Sequence, residues 1–403
     1  MLKLALRNIF RHRFRTTMTL AGIVIGVTSL VLSGGFVADI YAQLAEALIH
    51  SQSGHIQIAR AGYFSYGSRS PEKYVIDDPN QLRSSVAALP EVDEVLERSN
   101  FSALLNNGRT DWPVIGEGVE PTKEAKLGSF IHIVQGRLLT DEDRFGILVG
   151  QEIARALKLA PGDRVTLLAN TSEGALNSLE LQVIGTFESF SKDFDARAVR
   201  IPLNAAQDLL GSQRVNTLVV ALKRTKDTHR IAARLTAMLA PRGFDLRTWT
   251  QLNDFYEKTV ALYRQQFGFL QIIILAMVLL SVANSVNMSV FERIGEFGTM
   301  MALGKRSKQI FRLIVAEAGL LGLIGSCLGV ALGMALAIGI SAIGIPMPPP
   351  PNANLGYMAH IRVVPTVVFN AFCVGFAGAT LAALFAAVRV SRTPVADALR
   401  LNA

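Results

Sequence analysis

The chain has 403 residues, 50% of them hydrophobic and 18% charged, with a formal net charge of +8. Soluble domains carry nearer a quarter charged residues. Here almost all the charge sits in residues 39–266 and three short basic segments, and the mean hydropathy is +0.34. That partition argues for a membrane protein over a soluble one, and the placement of the positive charge gives no support to a nucleic-acid partner.

Residues 1–16 carry Lys3, Arg7, Arg11, Arg13 and Arg15 without an acid. Leu2, Leu6, Phe10 and Phe14 recur every fourth residue beside Lys3, Arg7, Arg11 and Arg15, which predicts an amphipathic cytoplasmic helix lying on an anionic membrane surface. The plainer reading is a basic anchor that fixes topology, and the two are compatible. A first apolar span is expected at 17–38. No small-residue cleavage pattern follows it, so it reads as a retained helix.

Residues 43–265 form a large polar region. Within it, 54–60, 92–105, 215–222 and 244–249 read as strands, and 78–89 and 227–239 as helices. The flanks, 43–111 and 211–265, are expected to pair as halves of a split α+β sandwich. An inserted strand-rich lobe is expected at 112–210, with strands at 112–116, 146–149, 164–168 and 179–187.

Three further spans are expected at 267–291, 318–345 and 363–388. Each exceeds the roughly 20 residues needed to cross a hydrocarbon core of about 30 Å, and in lipid only a helix satisfies its own backbone. Between the second and third spans lies the basic loop 292–312, and a basic tail follows at 389–403. The three flanking segments hold 13 basic and 3 acidic residues, whereas 39–266 holds 26 basic and 28 acidic. Short basic flanks stay inside. Both termini and the 292–312 loop are therefore expected in the cytoplasm and the large domain outside. The fold class read from the sequence is a polytopic α-helical membrane protein with four transmembrane helices and a large external α+β domain between the first and second.

Transport or hydrolytic chemistry is not evident. Gly22 and Gly26, then Gly325, Gly329 and Gly333, stand at four-residue spacing, which suits close helix packing; a hinge is the other reading. Ser281, Asn284, Ser285 and Asn287 make the inner end of the second span polar. Glu317 reads as a structural acid at the inner boundary of the third span, or as an intramembrane functional acid. The six histidines are scattered without metal-ligand spacing, and Cys327 and Cys373 both fall in apolar stretches. Asp141, Glu142 and Asp143 read as a turn. There is no nucleophile elbow, and Gly304-Lys305-Arg306 is not a Walker A loop. No cofactor, metal or catalytic residue is expected in this chain.

Three segments together resemble one family. They are residues 4–27; residues 292–304 (Glu-Arg-Ile-Gly-Glu-Phe-Gly-Thr-Met-Met-Ala-Leu-Gly), followed by basic residues and Gln309-Ile310; and the tail 392–400 (Arg-Thr-Pro-Val-Ala-Asp-Ala-Leu-Arg). Ile115-Gly116, Gly136-Arg137-Leu138, residues 141–143 and Val183-Ile184-Gly185 extend the match. The chain resembles the ABC permeases that include MacB, FtsX and the lipoprotein-releasing LolC and LolE, and its layout is most similar to the last two.

The resemblance implies a non-catalytic subunit of the bacterial inner membrane, working as a dimer with a second copy or a paralogous permease. It implies two separate ATPase subunits, which carry ATP and Mg, and a possible periplasmic acceptor or adaptor. It implies that 292–304 is a coupling helix, with Glu292, Arg293, Glu296, Met300 and Gly304 in or beside the ATPase contact. Glu292 and Glu296 would share one helical face, and Gly304 would end the helix. ATP-driven motion would pass to the external domain and release lipoproteins. The alternatives are export of another amphipathic molecule or peptide, and signalling to a periplasmic partner. No loop identifiable as a hook for a lipoprotein chaperone is present.

Overall fold

The computed structural model describes residues 13–67, 71–128, 130–349 and 356–391. The chain divides into two compact units, one of Met1–Tyr41, Thr259–Pro346 and Met358–Ala403, the other of Ala42–Lys258 and Met347–Tyr357.

The first unit is helical. Its long helices are α1 (Arg13–Leu48, whose last residues belong to the second unit), α7 (Asp254–Glu292), α9 (Ser307–Ile343) and α10 (Pro365–Ser391), with a short α8 (Ile294–Ala302) between α7 and α9. Among the described residues, four helices are long and apolar enough to cross a membrane, over Thr16–Ser53, Tyr256–Asn284, Ser307–Ile343 and Pro365–Phe385. With a domain of mixed helix and strand between the first and second, this is the four-span architecture expected from the sequence.

The third-span glycines are used for packing. A Cβ on Gly325 would meet Ile23 at 2.8 Å, one on Gly329 would meet Val27 at 2.8 Å, and one on Gly333 would meet Val31 at 2.9 Å. Two ridges of four-residue period, one of glycines and one of branched side chains, thus interlock. The Thr28 hydroxyl donates to the Gly329 carbonyl at 3.0 Å along the same seam. Gly26 is equally crowded, by Val278 of α7. Close approach of this kind is what small residues permit where lipid offers no hydrophobic drive.

The second unit is built on a sheet of ten strands: β1 (Ile56–Arg60), β2 (Val92–Asn106), β3 (Asp111–Val119), β4 (His132–Gly136), β5 (Gly146–Gly150), β6 (Arg164–Asn170), β7 (Leu176–Glu188), β8 (Ala198–Pro202), β9 (Thr217–Leu222) and β10 (Phe244–Thr248). Their order is β10-β1-β9-β2-β3-β8-β5-β7-β4, with β6 pairing both β2 and β7. The pairs β2–β3, β3–β8, β8–β5, β5–β7, β7–β6 and β6–β2 therefore close a six-stranded ring, which leaves those strands no free edge.

Helices α2 (Pro79–Ala87) and α6 (Thr228–Leu239) cover one face of β1, β9 and β2. Asp78 caps α2, accepting from the Gln81 N–H at 3.1 Å, with Pro79 at the first helical position. On α6, Ile231, Leu235 and Leu239 are buried against Ile58, Leu218 and Val220, each worth about 1.5–3 kcal/mol of apolar burial. The ring is filled by Phe101, Leu105, Ile147, Val149, Leu167, Leu181, Val183, Val199 and Ile201. It is closed by α4 (Gln151–Leu157) and α5 (Leu203–Leu210).

The flank strands and the strands of the expected lobe thus belong to one hydrogen-bonded sheet, because β2 runs 15 residues and serves both. β4, β8, α4, α5 and α3 (Pro121–Leu127) were not anticipated.

Candidate coupling site

The segment joining the second and third spans is shaped by one arginine. Helix α7 ends at Glu292, Arg293 leaves the helical conformation at φ −108°, ψ 10°, and α8 begins at Ile294. Arg293 is 5% exposed. Its Nε donates to Glu296 at 3.1 Å, its Nη1 donates to Glu317 of α9 at 2.8 Å, and its guanidinium lies 5.1 Å from the centre of the Phe297 ring. Phe297, 1% exposed, anchors α8 in the apolar core of the bundle. A planar fork suits this task, since one side chain can tie three elements while stacking on an aromatic.

Helix α8 stops in a Schellman motif. The Lys305 N–H donates to the Met300 carbonyl and the Gly304 N–H to the Met301 carbonyl, both at 3.0 Å, with Gly304 at φ +90°. α9 then starts after Arg306, whose N–H donates to the Gln309 side chain at 3.1 Å.

The expected site residues are therefore placed in different ways. Glu292 and Glu296 do not share one helix, because the break at Arg293 puts the first at the end of α7 and the second in the first turn of α8. Arg293 is turned inward, and Glu296 is held by it. Met300 is half-buried and Gly304 exposed. Leu303, the exposed leucine of the expected coupling helix, is 82% exposed and is followed by exposed Lys305, Arg306 and Lys308. Glu317 has the structural role, as the partner of Arg293.

Lys3, Arg7 and Arg11 lie outside the described residues, as do the tail 392–403 and the Arg15 side chain; Arg15 itself falls within α1. Among the described residues, no group of three or more His, Cys, Asp or Glu is placed to hold a metal ion.

Residues 16–238, more than half of the chain, match the family of the MacB-like periplasmic core domain, and residues 268–395 match the FtsX-like permease C-terminal region. The chain is 26% identical over 351 residues to the macrolide export ATP-binding/permease protein MacB of Shewanella sp. (strain ANA-3), a match covering 82% of this chain and 51% of that protein. It thus spans about half the length of that relative. It is 23% identical over 416 residues to the lipoprotein-releasing system transmembrane protein LolC of Neisseria meningitidis serogroup B, covering 96% of this chain and 94% of LolC. The periplasmic region of MacB from Actinobacillus actinomycetemcomitans, a crystal structure, is 14% identical with a TM-score of 0.36 and covers 52% of this chain and 95% of that one. By its two domain matches, the chain belongs to the MacB/FtsX/Lol superfamily of ABC permeases.

Proposed function

We propose that this chain is the non-catalytic permease subunit of an ABC transporter in the bacterial inner membrane, with both termini in the cytoplasm. Two copies, or this chain and a paralogue, work with two separate ATPase subunits that bind ATP and Mg. The half-buried Met300 and exposed Leu303 stand at the end of α8, with exposed Glu292 before the helix in sequence and exposed Lys305, Arg306 and Lys308 after it, and we read the two apolar side chains as the knob that enters the ATPase. An unbranched thioether and a leucine suit an irregular groove on the ATPase. Arg293 and Glu296 set the angle of the knob, and Gly304 allows its sharp end. The residues before the first span, with Lys3, Arg7, Arg11 and Arg15, lie on the anionic inner surface.

The substrate class we favour is lipoproteins, or similar lipid-anchored molecules, released from the inner membrane towards a periplasmic acceptor. One observation carries this choice: the match to LolC runs nearly end to end on both chains, whereas the match to MacB covers half of that protein. The test is reconstitution of the permease with the ATPase in proteoliposomes loaded with an acylated lipoprotein. ATP-dependent release of the acylated protein, with no release of a non-acylated version, is expected. Equal export of a macrolide, and none of the lipoprotein, would replace this substrate with an amphipathic small molecule.

A further inference from the structure

The second unit buries four charges that neither the sequence reading nor the coupling site uses. Arg98 of β2 and Arg200 of β8 are each 2% exposed, and Glu117 of β3 and Glu124 of α3 are also buried. Arg98 holds Glu124 with both arms of its fork, Nε to Oε2 at 3.2 Å and Nη2 to Oε1 at 2.5 Å. Arg200 Nε donates to Glu117 at 2.8 Å, and its Nη1 lies 3.3 Å from Glu124. Burial works against the charge of Glu124, yet Arg98 and Arg200 hold its carboxyl below the usual carboxylate range. Two cations and two anions leave no net charge in the interior.

Each arginine also spends one donor on backbone. Arg98 Nη1 donates to the Gln52 carbonyl, and Arg200 Nη2 donates to the Ser51 carbonyl at 2.8 Å. Ser51 and Gln52 belong to the π-helical turn Ile49–Ser53 that directly continues α1. On the same turn His50 Nδ1 lies 3.1 Å from the Leu127 carbonyl, at the end of the helix that carries Glu124.

The strands involved are neighbours at the middle of the sheet. β2, β3 and β8 are consecutive in its order, with β9, β1 and β10 on one side and β5, β7 and β4 on the other. Arg200 pairs directly with Glu117 in the parallel register of β3 and β8. It stands between Val199 and Ile201, which fill the ring, so it projects from the opposite face. Charge-assisted bonds to adjacent carbonyls are stiffer and more directional than apolar packing, and a displacement of this turn is felt by three central strands at once.

We infer that Arg98 and Arg200 are the positioning residues through which the chain leaving α1 moves the external domain, gripping its sheet at the centre so that both halves follow together. This inference rests on the proposed transmission of ATP-driven motion. A buried ion network can often be exchanged for apolar side chains of similar volume without loss of stability, which separates grip from folding.

The decisive variant is Arg98→Met, Arg200→Met, Glu117→Leu and Glu124→Leu together, in the full permease–ATPase complex in nanodiscs. The readout is the distance between spin labels at Ser172 of the two permease copies, with and without ATP, beside the melting temperature and ATP hydrolysis. In the wild type the distance is expected to change with ATP. In the variant, the melting temperature is expected to match the wild type and the hydrolysis rate to stay within about twofold of it, while the distance change is lost. A wild type with no ATP-dependent change would remove the transmission reading itself. A wild type that moves and a variant that moves equally would overturn the role of the two arginines. Should the fourfold variant fail to fold, Arg98→Lys with Arg200→Lys keeps the charges but loses the forks. It is expected to lose at least half of the change, and an undiminished change overturns the inference.

Discussion

Two joints in this protein are made by buried arginines, and they are built differently. In the external domain Arg98 and Arg200, each 2% exposed, face two buried glutamates and two backbone carbonyls, so every charge is matched inside the protein. At the coupling segment Arg293 serves alone, between Glu317, whose side chain is 14% exposed, and Glu296, whose side chain is 41% exposed. The first joint ties strands to a turn and is sealed. The second ties short helix to long helices and stays open to water on one side. Enclosure sets how much each can be perturbed, since a charge stranded in the interior costs far more than one that water can reach.

The largest effect is expected from breaking the sealed joint on one side only. Arg98→Ala leaves Glu124 buried with half of its partners, a loss on the order of 3–5 kcal/mol. Denaturant or thermal unfolding of the purified permease checks it, and a loss below about 1 kcal/mol would mean that water reaches the site.

A second test uses pH. His55, 1% exposed, accepts from the Leu222 N–H through Nδ1 at 3.1 Å and faces the Thr225 hydroxyl through Nε2 at 3.2 Å. Burial, with the nearby His50 adding to it, pushes its pKa down to about 4. The unfolded imidazole titrates near 6.5, so between about pH 6.5 and 4 the unfolded chain binds the extra proton. The His55 contribution to stability is full above pH 6.5 and is lost through this window, by about 3 kcal/mol in total, while Asp195, which burial raises to about 6, contributes with the opposite sign. The difference between the pH profiles of unfolding for wild type and His55→Gln isolates the histidine, and it should fade between about pH 6.5 and 4.

The open joint should respond less. Arg293→Ala is expected to cost on the order of 1–3 kcal/mol, because the half-enclosed Glu317 loses a charge-assisted donor. A loss equal to that of Arg98→Ala would erase the distinction between the joints. Gly329→Leu belongs to the same range: its side chain must displace Val27, an overpacking of about 1–3 kcal/mol. Melting in detergent reads both.

The spans were legible because membrane burial leaves a one-dimensional mark, long runs without charge. β1 was legible through the alternation of residues 54–60. β8 was not: its residues, Ala-Val-Arg-Ile-Pro, are all buried, so it shows no period of two, and an arginine in a short strand reads as a surface residue. The four-charge network was invisible for a related reason. Arg98 and Glu124 are 26 residues apart, Arg200 and Glu117 83, and Arg200 and Ser51 149, and nothing local announces such pairings. At the coupling segment the sequence reading put Glu292 and Glu296 on one helical face, and the break at Arg293 separates them. No glycine or proline marks the break at Arg293; it coincides with a guanidinium turned inward to reach Glu317.

The central claim is that the end of α8 carries the ATPase contact, and one measurement addresses it directly. The variant Met300→Asp with Leu303→Asp changes one half-buried and one exposed side chain at the end of α8, so membrane level should match the wild type and the melting temperature is measured beside it. Co-purification of the ATPase from native membrane, quantified against wild type, is expected to fall at least tenfold. Undiminished ATPase recovery with this variant would contradict the assignment and move the contact elsewhere on the chain.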